Sequence, residues 1–406
     1  MRALFIVCVI DILGFGILIP LVPYMADRFG ASPGLITPIL GAYSLCQLIA
    51  APFWGRLSDK FGRRPILMTS LCGACVSYVI LGFADSLLWL LVSRMLAGFM
   101  AGNLSAAFAY ASDISTPENR AKALGTVGAA IGVGFMFGPA IGGLLAGNNE
   151  HTANFALPAL VSSSLSVVAI ALVFFMLPES NTAEHRAQHP DPRKGHPFRL
   201  LFERPSLRFI VSASFLVTCS QAILESIFAI WANDLFGFGP RDVGVVLFCM
   251  ALIPVGMQGG LVRVLAPRFG EVRLAVFATI SYVLGLALVG YATWLAMVLA
   301  LEGRPTHSAL SLSFAGLALC GVGAGLFNPS ASALASKQAT ARDRGAVMGT
   351  YQSGGSLARA VIPFVSGAIY ASVGHGAPFF AGACLTLPAA WLIWTSQRAA
   401  RTIAPQ

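Results

Sequence analysis

Charge is what this chain has least of. Lys, Arg, Asp and Glu make up 11% of its 406 residues, against about 25% in a soluble domain. That scarcity excludes an ordinary water-facing surface over most of the molecule. It also excludes a nucleic-acid partner, because the net charge of +9 is not gathered on a polar face. No Gly-x-x-x-x-Gly-Lys-[Ser/Thr] loop occurs, so there is no such phosphate cradle for ATP-driven pumping. All eight cysteines fall inside apolar runs. Cys72 and Cys75 have redox-motif spacing, but on an apolar helix they read as small packing residues. The sequence calls for no cofactor, no metal and no enzymatic chemistry.

What is present is apolar sequence. Hydrophobic residues make up 56% of the chain and the mean hydropathy is +0.76. A spanning helix needs about 20 apolar residues. Apolar runs read against turn and charge breaks predict twelve spans in an all-α membrane protein: 3–25, 35–56, 65–84, 87–112, 121–146, 155–178, 206–235, 240–263, 272–295, 308–335, 345–371 and 376–396. The stretch 293–308 is the least sharply punctuated. The first run follows Met1-Arg2, as a signal peptide would. It is too long for one, contains Asp11 and lacks a small-residue cleavage site.

The cations set the orientation. With a cytoplasmic N-terminus and an even span number, twenty-one Lys and Arg fall on the cytoplasmic side. The opposite loops hold Arg28, Arg241 and Arg304, and Arg94 and Arg359 lie inside spans. By the positive-inside rule both termini are cytoplasmic, in a multi-pass inner-membrane protein.

The one long polar stretch, 179–205, reads as a cytoplasmic linker between six-helix halves, 1–178 and 206–406. The halves echo each other. Arg120, Gly125-Thr126, Pro139 and Gly143 recur 224 residues later as Arg344, Gly349-Thr350, Pro363 and Gly367. Lys60-Phe61-Gly62 recurs 208 residues later as Arg268-Phe269-Gly270. Tandem repeats of this kind place a transporter's substrate site near the bilayer midplane.

Three segments carry a resemblance. The loop between spans 2 and 3 reads Gly55-Arg56-Leu57-Ser58-Asp59-Lys60-Phe61-Gly62-Arg63-Arg64 and is similar to the loop signature of the major facilitator superfamily. The span 5 run with Gly134, Gly138, Pro139, Gly142 and Gly143 resembles that superfamily's antiporter signature. The run from Asp11 to Pro23 resembles the twelve-helix drug:proton antiporters, tetracycline-efflux proteins among them. The likeness covers most of the first half and thins in the second. It implies that Gly55, Asp59, Gly62, Arg63, Arg64 and Asp113 form a cytoplasmic gate, with Arg63 pairing with Asp113. The bland alternatives are a solvated basic loop and, for span 5, glycines that serve packing alone.

Ionisable groups at membrane depth are functional candidates. Asp11 lies about 12 Å into span 1 and Glu225 near the middle of span 7. Each can take up and release a proton, and each when ionised favours a cation. The bland reading is a structural hydrogen-bond partner. Arg94 in span 4 resembles the superfamily's arginine that pairs with a carboxylate; the alternative is snorkelling to the headgroups. The resemblance assigns no role to Arg359, which faces either the cavity or the cytoplasm. Gln47, Asn103, Gln221, Asn328 and Gln352 are further polar candidates. Phe15, Phe228, Trp231, Tyr282 and Tyr351 either line an apolar pocket or pack.

The likeness to tetracycline exporters breaks where those proteins carry an acid in span 3, a histidine in span 8 and an acid in span 9. Here those stretches read Ala74-Cys75-Val76-Ser77-Tyr78, Leu252-Ile253-Pro254-Val255-Gly256 and Thr279-Ile280-Ser281-Tyr282. The expectation is a monomeric secondary transporter in the lipid bilayer, exporting a lipophilic or weakly cationic small molecule in exchange for protons. The alternatives are uptake or facilitated transport of a metabolite or organic anion, and a receptor or assembly role without transport.

Overall fold

A computed structural model describes residues 1–116, 119–149, 152–181, 201, 203–339 and 343–403, and these form helices with no strand among them. Most of the linker, residues 182–200 and 202, lies outside the described residues. The helices are α1 (Arg2–Leu18), α2 (Val22–Arg28), α3 (Pro33–Phe61), α4 (Arg63–Gly82), α5 (Leu87–Met100), α6 (Asn103–Asp113), α7 (Arg120–Ala146), α8 (Ala156–Met176), α9 (Pro205–Phe236), α10 (Pro240–Gly256), α11 (Val262–Phe269), α12 (Glu271–Leu301), α13 (His307–Lys337), α14 (Arg344–Val373) and α15 (Ala377–Ile403).

Eleven helical stretches among the described residues are long and apolar enough to cross a membrane, with α1–α2 and α5–α6 each making one. The one expected span outside these eleven, the eighth at 240–263, falls on Pro240–Phe269, which is helical throughout but carries a π-helical turn at Met257–Leu261 between α10 and α11. The ninth expected span runs six residues further than its apolar pattern suggested, to Leu301, and turns only at Gly303.

Two membrane helices are broken, each for a local reason. Pro20 has no N–H to give, and the first span pauses at Ile19–Leu21 before Pro23 restarts it. The fourth span breaks at Ala101-Gly102. At Gly102 a side chain would collide with the Trp54 indole. Polar side chains satisfy that break, as a non-helical turn in lipid requires. The Trp54 indole donates to the Phe99 carbonyl at 2.5 Å, the Ser70 hydroxyl donates to the Met100 carbonyl, and the Asn103 N–H donates to Ser70 Oγ at 3.0 Å.

The chain forms two compact units. The first comprises Met1–Pro192 and Phe238–Phe248, and its core gathers Leu4, Trp54, Leu67, Tyr110 and Val173. In it α1 packs on α7 and α8, α4 on α8, and α3 on α5. The second comprises Arg193–Gly237 and Cys249–Gln406, with Leu207, Ile210, Phe327 and Ile393 in its core. There α12 packs on α13 and α15, and α9 on α14 and α15.

Candidate functional site

The charged loop between α3 and α4 is a closed network in the first unit. Gly62 turns the chain at φ +107°, a conformation that L side chains avoid. Arg63 follows, with its side chain only 11% exposed. Its Nη1 donates to Asp59 Oδ1 at 2.6 Å and to Ser58 Oγ at 3.0 Å, and its Nε donates to Asp113 Oδ2 at 3.0 Å. Arg64 donates to the Phe174 carbonyl at 2.5 Å and lies over that residue's ring. Gly55 meets nothing on its side-chain face.

The segment after α8, which reads in the sequence as the start of the 179–205 linker, completes the network. Glu179 accepts from the backbone N–H groups of Arg63 (2.8 Å) and Arg64 (3.1 Å). These are the first donors of α4, where an anion is stabilised by unpaired N–H groups and the helix dipole. The carboxylate occupies the space that a Cβ at Gly62 would need. Asn181 donates to the Asp59 carbonyl at 3.0 Å, and Ser180 donates to Asp113 at 3.2 Å. The available signal was an acid, an alcohol and an amide directly after an apolar helix, on the side that the basic loop occupies.

Deeper in the same unit, the α5–α6 break aims Asn103 at α1. Its Nδ2 donates to Asp11 Oδ2 at 2.5 Å. A small cavity beside the pair is lined by Cys8, Asp11, Leu67, Leu71, Asn103 and Ala107. Arg94 does not snorkel: it is 3% exposed, and its Nε and Nη2 have no hydrogen-bond partner. The Tyr43 and Tyr78 phenols each interact electrostatically with both Asp11 and Arg94. Phe15 stacks on Tyr43 with ring centroids 4.6 Å apart. The unit therefore holds a carboxyl group and an unpaired guanidinium that both interact with the same two phenols. Gln47 is half-buried on α3.

On α7, Gly134, Gly138 and Gly142 lie four residues apart along the face that meets α1. Side chains there would collide with Ile12, Gly16 and Ile17. The stripe lets two backbones approach as small residues do in membrane helix pairs. Gly143 abuts the backbone at Pro240-Arg241, and the Pro139 carbonyl abuts Gly244.

In the second unit, Glu225 and Gln221 lie on α9, Asn328 on α13, and Gln352 and Arg359 on α14. Glu225, Asn328, Gln352 and Arg359 are exposed; Gln221 is half-buried and its Nε2 lacks a partner. Glu225 interacts electrostatically with Arg359. Phe228, Trp231 and Tyr282 are buried, and the Trp231 indole donates to Thr293 Oγ1 at 2.8 Å, so these aromatics pack the core.

Long apolar helices in two units, with ionisable and polar side chains set within them, define a multi-pass membrane protein of transporter type. The chain belongs to the Major Facilitator Superfamily, whose family model matches residues 4–303 and 279–406. That is a family of transporters, not of enzymes. The chain is 28% identical to tetracycline resistance protein class C of Escherichia coli, over 93% of this chain and 92% of the relative. It is 28% identical to multidrug resistance protein 2 of Bacillus subtilis (strain 168), over 66% and 67% respectively. Among solved structures it is similar to the human organic anion transporter MFSD10 (TETRAN), with a TM-score of 0.71 and 25% identity over 97% of this chain and 98% of that one.

Proposed function

We propose that this protein is a proton-coupled exporter of lipophilic or weakly cationic small molecules. It works by alternating access as a monomer of two six-helix halves in the inner membrane, with both termini cytoplasmic. The observation that carries the reading is Asp11, held by Asn103 at a break in a membrane helix, with two phenols, Tyr43 and Tyr78, that interact electrostatically both with it and with the unpaired Arg94. An ionisable group at that depth has little use in packing. Proton uptake by Asp11 removes a negative charge that both phenols feel, and the same phenols interact with Arg94, which links protonation on α1 to the charges carried by α3, α4 and α5. Glu225 supplies a second exposed carboxyl group for a cation or a proton.

The network around Arg63 serves as the cytoplasmic gate. It ties α3, α4, α6 and the segment after α8 into one block, so it moves as a unit when the transporter changes state. The relatives' names fit drug export. The match to an organic anion transporter favours a second reading, in which anions are carried.

Efflux of a lipophilic dye from everted vesicles, with and without a protonophore, tests the proposal. The expected result is dye movement that collapses with the proton gradient, together with protection of a drug-sensitive bacterium against lipophilic cations and little protection against tetracycline. Gradient-independent movement would refute proton coupling. Strong tetracycline resistance would refute the substrate assignment.

A further inference from the structure

Between Val217 and Ala232 the helix α9 is buried at every position except Thr218, Gln221 and Glu225. At 3.6 residues per turn these three fall within about 60° of one another. An open stripe inside a membrane helix should be apolar if it faces lipid. This one carries a hydroxyl, an amide and a carboxyl group.

The neighbouring helix α14 has two open faces of opposite character. One presents Leu357, Val361, Phe364 and Val365, each 40–49% exposed, and suits lipid. The other, roughly opposite, presents Gln352, Ser356 and Arg359. The two polar stripes meet at Gly355. The position a Cβ would take there is 3.8 Å from both Arg359 Nη2 and Thr218 Oγ1, and glycine leaves that space open. Glu225 feels the charge of Arg359, yet the two do not close into an ion pair. From α12, the Tyr282 phenol also interacts electrostatically with Glu225. The helices α13 and α15 carry their charged residues only near their ends, His307, Lys337, Arg398 and Arg401.

An acid and an arginine that stand opposed without pairing, on open polar stripes in a membrane segment, leave room for a charged solute to complete the arrangement. We propose that Glu225 and Arg359 form a charge selector in the second unit. Arg359, flanked by donors from Thr218, Gln352 and Ser356, takes the anionic group of a lipophilic organic anion. Glu225 is its resident counter-ion and takes the positive centre of a lipophilic cation. The proposal rests on the reading that this chain carries lipophilic solutes, but not on proton coupling. Guanidinium binds carboxylates through paired, charge-assisted hydrogen bonds, which makes it suited to that group.

The selector makes reciprocal demands. Removing the charge of Arg359 weakens anion binding and strengthens cation binding; removing the charge of Glu225 does the reverse. The test is equilibrium binding of radiolabelled phenylbutyrate and tetraphenylphosphonium to the purified full-length protein in nanodiscs, without a gradient. R359Q should weaken phenylbutyrate binding at least about tenfold, the equivalent of one charge-assisted hydrogen bond, and tighten tetraphenylphosphonium binding. E225Q should tighten phenylbutyrate and weaken tetraphenylphosphonium. R359K, which keeps the charge but loses the planar fork, should fall between wild type and R359Q for the anion. If R359Q does not fold, the opposite shifts in E225Q decide. Shifts of both ligands in the same direction, or no shift in E225Q, would overturn the proposal. Because no gradient is applied, loss of proton coupling alone leaves these outcomes unchanged.

Discussion

At matching positions of the internal repeat, the two units hold an ion pair of reversed sign. In the first unit Arg63 at the start of α4 meets Asp113 at the end of α6, 3.0 Å apart, with side chains 11% and 18% exposed. Glu271 lies 208 residues after Arg63 and starts α12; Lys337 lies 224 residues after Asp113 and ends α13. They pair at 2.6 Å, with Lys337 60% exposed. Gly62 and Gly270 precede the two helices at φ +107° and +78°. The repeat has therefore kept the glycine turn and the bridge between two helix ends while exchanging which end carries which charge. A bridge of this kind needs opposite signs and short reach, not a particular polarity.

What differs is the company each pair keeps. Arg63 is shared by Ser58, Asp59 and Asp113, and Glu179 and Asn181 fix the backbone around it. The Glu271–Lys337 pair stands in the open. Buried, multiply bonded charges lose much when one partner goes, whereas exposed pairs contribute about 0–1 kcal/mol. Both units keep unpaired charges inside the membrane segment, Arg94 in the first and Glu225 and Arg359 in the second, and both keep paired ones at helix ends.

The comparison can be broken at its strong end first. Arg63→Ala leaves Asp59 and Asp113 without their shared cation and should cost about 2–4 kcal/mol. It should lower the thermal midpoint of the purified protein most among the loop variants and slow turnover more than tenfold. Glu179→Gln keeps size but removes the charge on the first N–H groups of α4. About 1 kcal/mol of stability should go, with slower turnover and unchanged substrate affinity in a transport assay. Lys337→Ala should shift the midpoint by no more than about 1 kcal/mol equivalent. The smallest effect belongs to the double exchange Glu271→Lys with Lys337→Glu, which gives this pair the polarity of the first unit. A midpoint near wild type is expected; a drop as large as that of Arg63→Ala would show that polarity itself matters there.

Much of this was legible in the sequence. Hydropathy located the helices, and the Gly62-Arg63-Arg64 loop marked the network because glycines and charges are rare between apolar runs. Other features depend on residues far apart in the chain, which no single position reveals. Glu179 and Asn181 looked like linker, since their partners lie more than a hundred residues away. The break at Ala101-Gly102 was invisible to hydropathy, which does not register backbone hydrogen bonds, although Gly102 and Asn103 stand there. Tyr43 and Tyr78 stand in ordinary apolar sequence, which hides the phenols that interact with both Asp11 and Arg94. The Glu271–Lys337 pair hid behind its own sign reversal, which breaks the match directly after Arg268-Phe269-Gly270.

The central claim is that Asp11 carries the coupled proton. It is tested most directly by Asp11→Asn in proteoliposomes, comparing substrate exchange without a gradient to accumulation driven by a pH gradient. The asparagine keeps shape and hydrogen-bonding capacity next to Asn103 but cannot cycle a proton. The account predicts that exchange persists while gradient-driven accumulation is lost. Accumulation at the wild-type level by the Asp11→Asn protein would contradict it.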